Sequence, residues 1–249
     1  IWIASSPEIL NLYDQVTKSF KQYEFKNLIE RPANVEIGII KICEDGNGRV
    51  YLGVSSTFGD TLSSSLLYFD EQENKVKKFL TPDSIKIQNV FNLINDKNGN
   101  VYIYSYTGFF KIDTDRKISR VLAPIKELEN NNEYVTDFSC DKDAHIWLIT
   151  NKSRLMDFDP QTGKYKTYHQ KEFDKSNYDE LIGTAFVFNK DDNLWIGTNK
   201  GLSFFNKVKK RFESFGEPST NPTKNENILD LKMDSFGTLW IGTQFGGLF

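Results

Sequence analysis

The sequence predicts an all-β fold, a β-propeller of four-stranded antiparallel blades, and three observations predict it. A short apolar run built on one aromatic recurs as Ile1-Trp2-Ile3-Ala4-Ser5, Val50-Tyr51-Leu52-Gly53-Val54, Val101-Tyr102-Ile103-Tyr104-Ser105, Ile146-Trp147-Leu148-Ile149-Thr150, Leu194-Trp195-Ile196-Gly197-Thr198 and Leu239-Trp240-Ile241-Gly242-Thr243. The aromatic column Trp2, Tyr51, Tyr102, Trp147, Trp195 and Trp240 is spaced by 49, 51, 45, 48 and 45 residues and holds all four tryptophans of the chain. That spacing matches four short strands with their turns, one propeller blade. Phe and Tyr number 20 and 11, raising aromatics to 14%, and such residues favour strands.

The units follow in order. A partial blade covers 1–28, blades cover about 35–81, 87–123, 134–169 and 183–216, and a partial blade covers 227–249. The fifth unit parses most clearly. Thr184 to Phe188 is an apolar strand, Asn189 to Asn193 a turn, and Leu194 to Thr198 a second strand. Asn199-Lys200 connects to a third strand from Gly201 to Asn206, and Lys207 to Lys210 turns into a fourth from Arg211 to Phe215. Short strands between turn residues, without a sustained helical period, indicate an antiparallel meander. One exception is expected at 124–130, where a helical turn fits. About five to six blades' worth is present, so the chain is expected to be an arc of a larger, seven-bladed ring, or to pair its raw edges with another molecule.

Two further columns support the repeat. Asp45, Asp96, Asp141, Asn189 and Asp234 stand six residues before the aromatic, and Gly48, Gly99, Ala144, Asp192 and Gly237 stand three before it. Asx followed by Gly suits a tight hairpin, because Gly accepts positive φ and the Asx side chain caps the turn. The small residues Ala4, Gly53, Gly197 and Gly242 are expected where neighbouring blades approach closely. Tyr104 and Ile149 break that column, so their blades should pack differently. The aromatic column itself is expected to fill the space between stacked blades.

Composition narrows the function classes. A net charge of −3 provides no global positive field for nucleic acid. The basic cluster Lys207, Lys209, Lys210 and Arg211 reads as a solvated hairpin. No apolar stretch approaches the ~20 residues that span a bilayer, so any membrane attachment would come through other parts of a parent protein. Two cysteines, Cys43 and Cys140, fall in different repeats and are expected as buried free thiols.

The pattern Asp-x-x-Gly-x-Leu-Trp-Ile-Gly-Thr followed by Gly-Leu resembles the two-component regulator propeller repeat. It is nearly complete from Asp234 to Leu248 and close to complete from Asn189 to Leu202, where Asn189 and Asp192 replace the usual Asp and Gly. The three earlier copies are more diverged. The resemblance implies the periplasmic sensor region of a hybrid histidine kinase of Bacteroidetes type, responding to an oligosaccharide and signalling across the membrane through a β-sandwich, a transmembrane helix and a kinase that lie outside this chain.

Chemistry finds little support in the residues. His145 and His169 lack a partner at metal-ligand spacing and read as structural or surface residues. Asp45-Gly46-Asn47-Gly48 and Asp141-Lys142-Asp143 resemble the start of a calcium loop, yet the twelfth positions are Ser56 and Lys152 instead of Glu. Turn capping explains the recurring Asp more economically. No catalytic residue, metal or cofactor is therefore expected. Binding is the better prospect. In propellers, ligands usually sit on the face carrying the connections between second and third strands, which would display Phe58, Tyr106, Lys152, Arg154, Lys200, Gln244 and Phe245. Aromatic rings suit the apolar faces of sugars, and Arg, Lys and Gln suit their hydroxyl or acidic groups. The insertions at 56–65 and 169–181, the latter with Phe173 and Tyr178, are further places for contacts, and the segment 216–227, with Pro218 and Pro222, is expected to be a loop, not a strand. Expected partners are an oligosaccharide and a neighbouring propeller or second copy through exposed blade edges, with no nucleic acid. The alternatives are a propeller lyase resembling streptogramin lyase and a protein-binding scaffold.

Overall fold

The computed structural model describes the whole chain except residues 6–7, 32–33, 57–61, 63–64, 122–127, 129–132, 170–181, 214–222 and 224–225. Its strands lie in six antiparallel sheets, each a meander in which sequential strands are neighbours. Two compact units divide the chain, residues 1–122 and 123–249.

In the first unit, β1 (Trp2–Ser5), β2 (Ile9–Asp14) and β3 (Ser19–Glu24) make a three-stranded sheet. The second blade is β4 (Ile37–Glu44), β5 (Val50–Ser56), β6 (Leu66–Asp70) and β7 (Lys75–Lys78). The third is β8 (Val90–Asn95), β9 (Val101–Ser105), β10 (Gly108–Ile112) and β11 (Ile118–Arg120). In the second unit, the fourth blade is β12 (Val135–Cys140), β13 (Ile146–Thr150), β14 (Arg154–Phe158) and β15 (Tyr165–His169). The fifth is β16 (Gly183–Phe188), β17 (Leu194–Thr198), β18 (Gly201–Asn206) and β19 (Arg211–Glu213). The sixth sheet has two strands, β20 (Ile228–Met233) and β21 (Leu239–Thr243). Of the segment 124–130, only Leu128 is described, as a buried helical residue.

The recurring aromatic pentads are the second strands β1, β5, β9, β13, β17 and β21. Because side chains alternate between faces, each second strand serves two interfaces. On β5, Leu52 packs with Leu10, Tyr23 and Phe25 of the first sheet. Its neighbour Tyr51 points the other way and packs with Val90, Leu93 and Ile103 of the third blade. In the second unit, Trp147 fills the space between the fourth and fifth blades with Phe186, Ile196 and Phe205. Trp195 packs at the edge of the cluster formed by Ala185, Ile228, Leu231 and Ile241, between the fifth and sixth sheets. Tyr51, Trp147 and Trp195 fill blade interfaces as expected, whereas Trp240 is 44% exposed and does not; β5, β9 and β13 are buried almost end to end.

The small-residue column has the expected purpose at two of its four positions. A Cβ on Gly53 would stand 2.5 Å from Val90 Cγ1, and one on Gly197 2.5 Å from Ile228 Cγ2. In both cases the first strand of the next blade presses onto the glycine. Ala4 is exposed and a Cβ on Gly242 would meet only the Asp230 carbonyl at 3.7 Å, so no blade crowds either. At Ile149 the arrangement inverts. Its side chain occupies the space over Gly183 of the next blade, where a Cβ would lie 2.4 Å from Ile149 Cγ1. Tyr104 instead stacks on Phe109 of its own blade, with centroids 4.8 Å apart.

One repeated feature escaped the sequence. The pairing of the first two strands slips by one residue at Ile39/Lys41, Val90/Asn92, Val135/Asp137, Gly183/Ala185 and Ile228/Asp230, a β-bulge at the same place in five sheets. Asn92, Asp137 and Asp230 cap it, each side-chain oxygen accepting the next residue's N–H at 2.8–2.9 Å. Both cysteines are free, as expected. Cys43 is buried, and burial pushes its thiol up to about 12. Cys140 is only half-buried, a correction that follows from its place at the end of β12, beside the hairpin turn.

Candidate functional site

The turns between second and third strands are built alike. The residue following the second strand bonds back to the residue preceding the first. Asn151 N–H donates to the Tyr134 carbonyl while Asn151 Oδ1 accepts the Tyr134 N–H, and Asn199 does the same with Ile182, all at 2.9–3.0 Å. Thr198 Oγ1 closes its turn on the Gly201 carbonyl, as Ser105 does on Gly108 and Thr243 on Gly247. Positive φ at Gly108, Gly201, Gly247 and Ser153 completes each turn.

These turns carry five of the seven residues expected to meet a ligand, Arg154 opens β14, and Phe58 lies outside the described residues. In the first unit Tyr106 is 62% exposed in its turn. In the second unit Lys152, Lys200, Gln244 and Phe245 project from the corresponding turns of successive blades, with Phe245 86% exposed. Gln244 Oε1 accepts from Asn227 Nδ2 at 2.8 Å. Arg154 differs from the rest. Its guanidinium grips the buried Glu133 carboxylate through Nη2 and Nε, the latter at 3.0 Å, and Glu133 also takes the Thr150 hydroxyl. Burial is the largest influence on Glu133 and raises its pKa, but Arg154 and Thr150 outweigh it and hold the carboxyl below its usual range. Arg154 is thus part of the framework at this end of the fourth blade. Phe173, Tyr178, Pro218 and Pro222 also lie outside the described residues.

The Asp column caps turns in the expected way. Asp45, Asp96, Asp141 and Asp234 each accept two backbone N–H groups through Oδ1 at 2.8–2.9 Å, and Asn189 does so at 2.9–3.0 Å. The second oxygen has a partner that spacing did not reveal. Asp141 Oδ2 accepts Trp147 Nε1 at 2.9 Å, Asp234 Oδ2 accepts Trp240 Nε1 at 3.1 Å, and Asp45 Oδ2 accepts the Tyr51 hydroxyl at 3.3 Å. The six-residue interval therefore joins the cap to the ring of the aromatic column.

Asp141, Asp143 and Asp192 bring carboxylate oxygens within 4.8 Å of one another, a grouping that could hold a cation. The chain supplies one itself. Lys207 Nζ donates to Asp141 Oδ2 at 2.8 Å and to Asp192 Oδ2 at 2.5 Å, and lies 5.2 Å from the Trp147 ring centroid and 5.3 Å from that of Phe188. The reading of a solvated hairpin fails for this residue, whose side chain is only 15% exposed. Its ammonium is a fixed internal cation between two blades.

The other end of the fourth blade, opposite its second-to-third-strand turn, holds a groove of about 640 Å³. It is lined by His145 at the start of β13, Asp157 on β14, Asp159 and Thr162 in the following turn, and Lys164, Tyr165 and Lys166 on or beside β15. His145 Nδ1 bonds Asp157 Oδ1 at 2.6 Å. Burial, the largest influence on this imidazole, lowers its pKa, but the bond to Asp157 and the charges of Asp157, Asp141 and Asp159 prevail, so the net shift is upward. Asp159 accepts Thr162 Oγ1 at 2.6 Å and the Gln161 N–H at 2.8 Å, bonds that hold its carboxyl below the usual range. Sequence spacing could not pair His145 with Asp157, since they meet only through the register that sets Trp147 opposite Asp157.

Residues 223–245 match the family model described as two component regulator propeller, so the chain carries a repeat of that family. Among curated proteins none matches the sequence. Among solved structures, the chain is similar to the extracellular domain of the putative hybrid two component system BT4673 from B. thetaiotaomicron, with 17% identity and a TM-score of 0.64 over 99% of this chain and 31% of that one. It is similar to virginiamycin B lyase from Staphylococcus aureus, with 13% identity and a TM-score of 0.63 over 94% of this chain and 70% of that one. It is also similar to PorZ, a bacterial surface component of the type-IX secretion system of Porphyromonas gingivalis, with 15% identity and a TM-score of 0.65 over 99% of this chain and 36% of that one. At these identities the likeness establishes the fold, an all-β propeller architecture. The chain spans about a third of the length of the BT4673 extracellular domain it matches.

Proposed function

We propose that this chain is part of the extracytoplasmic sensor of a hybrid two-component histidine kinase, binds an oligosaccharide, and passes the signal across a membrane through portions of a longer protein. The match of residues 223–245 to the two component regulator propeller carries the reading. The likeness to an extracellular domain of a two component system supports it and favours a location outside the cytoplasm. No helix among the described residues is long and apolar enough to cross a membrane, so transmission would belong to other portions. The exposed second-to-third-strand turns, with Tyr106 in one unit and Lys152, Lys200 and Phe245 in the other, are candidate contacts. A second copy of the chain is the proposed protein partner, through exposed blade edges.

A lyase is the second reading, favoured by the coverage of 70% of virginiamycin B lyase. Against it, two of the three carboxylates in the acidic cluster that could hold a metal already bond the Lys207 ammonium. Calorimetry of the full extracytoplasmic region against neutral and acidic oligosaccharides separates the two readings. The expected result is saturable binding of at least one oligosaccharide with no turnover. Cleavage of a panel member, or turnover of a streptogramin, overturns the sensor reading, and so does the absence of any binding.

A further inference from the structure

Resting on the sensor reading, we propose that the groove on the fourth blade formed by His145, Asp157, Asp159, Lys164, Tyr165 and Lys166 is a saccharide subsite that takes a singly charged acidic sugar, a hexuronate unit of an oligosaccharide.

Size is the first support. The groove encloses about 640 Å³, within the roughly 300–1,000 Å³ of small-molecule sites. It lies at the opposite end of the blade from the Glu133–Arg154 pair, so it is separate from the turns where contacts were expected.

The allocation of charge is the second. The two carboxylates are spent on the protein's own groups, Asp157 on the His145 imidazole and Asp159 on Thr162 and the turn backbone. The cations are not spent. Lys164 and Lys166 sit on the same side of β15, both are exposed, and neither ammonium has a hydrogen-bond or ion-pair partner among the described residues. An incoming ligand therefore meets two available donors with positive charge and no available carboxylate.

The balance limits what that ligand is. With the imidazole protonated the groove carries one positive charge in excess, and with it neutral it carries none. A polyanion would face Asp157 and Asp159 at close range and be repelled. A neutral sugar would leave both ammoniums unanswered. A single carboxylate on a hydroxyl-rich ring answers them, while its remaining hydroxyls suit the Thr162 side chain.

His145 makes the subsite responsive to pH. The groups facing it are Asp157 of β14, Asp159 and Lys164 of the β14–β15 turn, Lys166 of β15, and Asp141 of its own hairpin, itself bonded to Lys207 of the fifth blade. Its net upward shift keeps more imidazolium at neutral pH than an isolated histidine would have. Binding of an acidic sugar should tighten as pH falls through the pKa of His145.

The test is calorimetry with the full extracytoplasmic region and matched oligouronides and neutral oligosaccharides of the same linkage. The expected result is oligouronide binding that weakens about tenfold in the double variant Lys164→Ala/Lys166→Ala, the size two partly exposed ion pairs can supply. Both lysines are exposed, so that variant should keep its thermal midpoint. In His145→Gln the pH dependence between about 6 and 8 should disappear. Oligouronide binding unchanged in the double variant, or equal affinity for the neutral analogue, overturns the subsite while leaving the sensor reading intact. If nothing in the panel binds, the sensor reading falls and the subsite with it.

Discussion

Asp141 is bonded through both of its carboxylate oxygens. One oxygen caps its own hairpin through the N–H groups of Asp143 and His145, and the other takes the Trp147 indole and the Lys207 ammonium. Burial, the largest influence on Asp141, raises its pKa, but the bonds from Lys207 and Trp147 lower it further, so the carboxyl ends below 3.8. Burial likewise lowers Lys207, and the two carboxylates more than reverse that, raising it above 10.5. The signs define a window. The acid's contribution is present above its unfolded value of 3.8 and is lost as pH falls through the lowered native value. The lysine's contribution is present below 10.5 and is lost as pH rises through the raised one. Lys207→Met keeps the stem over Trp147 but leaves the buried Asp141 facing Asp192, with only the exposed Lys142 ammonium at 4.0 Å from Asp192. It should cost about 3 kcal/mol at neutral pH, the lower end for breaking a buried pair. Urea unfolding at pH 7 and pH 3 checks this. The gap between variant and parent should narrow at the lower pH, and an equal gap at both would remove the electrostatic explanation. None of this was legible in the basic run around Lys207, because its partner lies 66 residues earlier and only the stacking of blades brings them together.

The strands themselves were largely legible. Leu194 to Thr198 and Gly201 to Asn206 fall where the turn residues bound them, and the Asx caps lie where hairpin chemistry requires. The bulges were not, since a bulge is a mismatch between two strands and neither strand alone records it. A polar residue capping the following N–H, as at Asn92, Asp137 and Asp230, is the only trace it leaves. Nor could a glycine column say which glycines are pressed. Gly197 and Gly242 occupy the same position in two copies of Leu-Trp-Ile-Gly-Thr, yet only Gly197 lies under the next sheet. Gly197→Ala should force Ile228 aside and cost about 1–3 kcal/mol, as overpacking does. Gly242→Ala, with ordinary contact only and no positive φ, should be neutral or stabilising by up to about 1 kcal/mol through the unfolded chain. Thermal or urea unfolding of the two single variants decides it. Equal effects would mean that strand propensity, not the approach of the next sheet, governs the column.

At the scale of the molecule, stability in such repeats is a sum of sheet and nearest-neighbour interface terms. The second strands β5, β9, β13 and β17 are hydrogen-bonded on two sides and covered on both faces, whereas the fourth strands β7, β11, β15 and β19 are edges with few buried residues. Amide exchange should therefore be slowest in peaks that recur at the spacing of the aromatic column. The two copies of Leu-Trp-Ile-Gly-Thr provide an internal control, because the same local sequence has the same intrinsic exchange chemistry. In β17 this pentad lies between β16 and β18 with the sixth sheet over Gly197. In β21 the outer partner is the short return of Leu248 and Phe249, and Trp240 is 44% exposed. The Ile241 amide donates to Phe249 of that return, so its opening needs only the return to part, and it should exchange at least about tenfold faster than the Ile196 amide, a difference of ~1.4 kcal/mol in opening free energy. Exchange of this chain read residue by residue measures the ratio. Equal protection in the two copies would mean that the blades open together, and that the contrast between covered and uncovered sheets has no energetic weight.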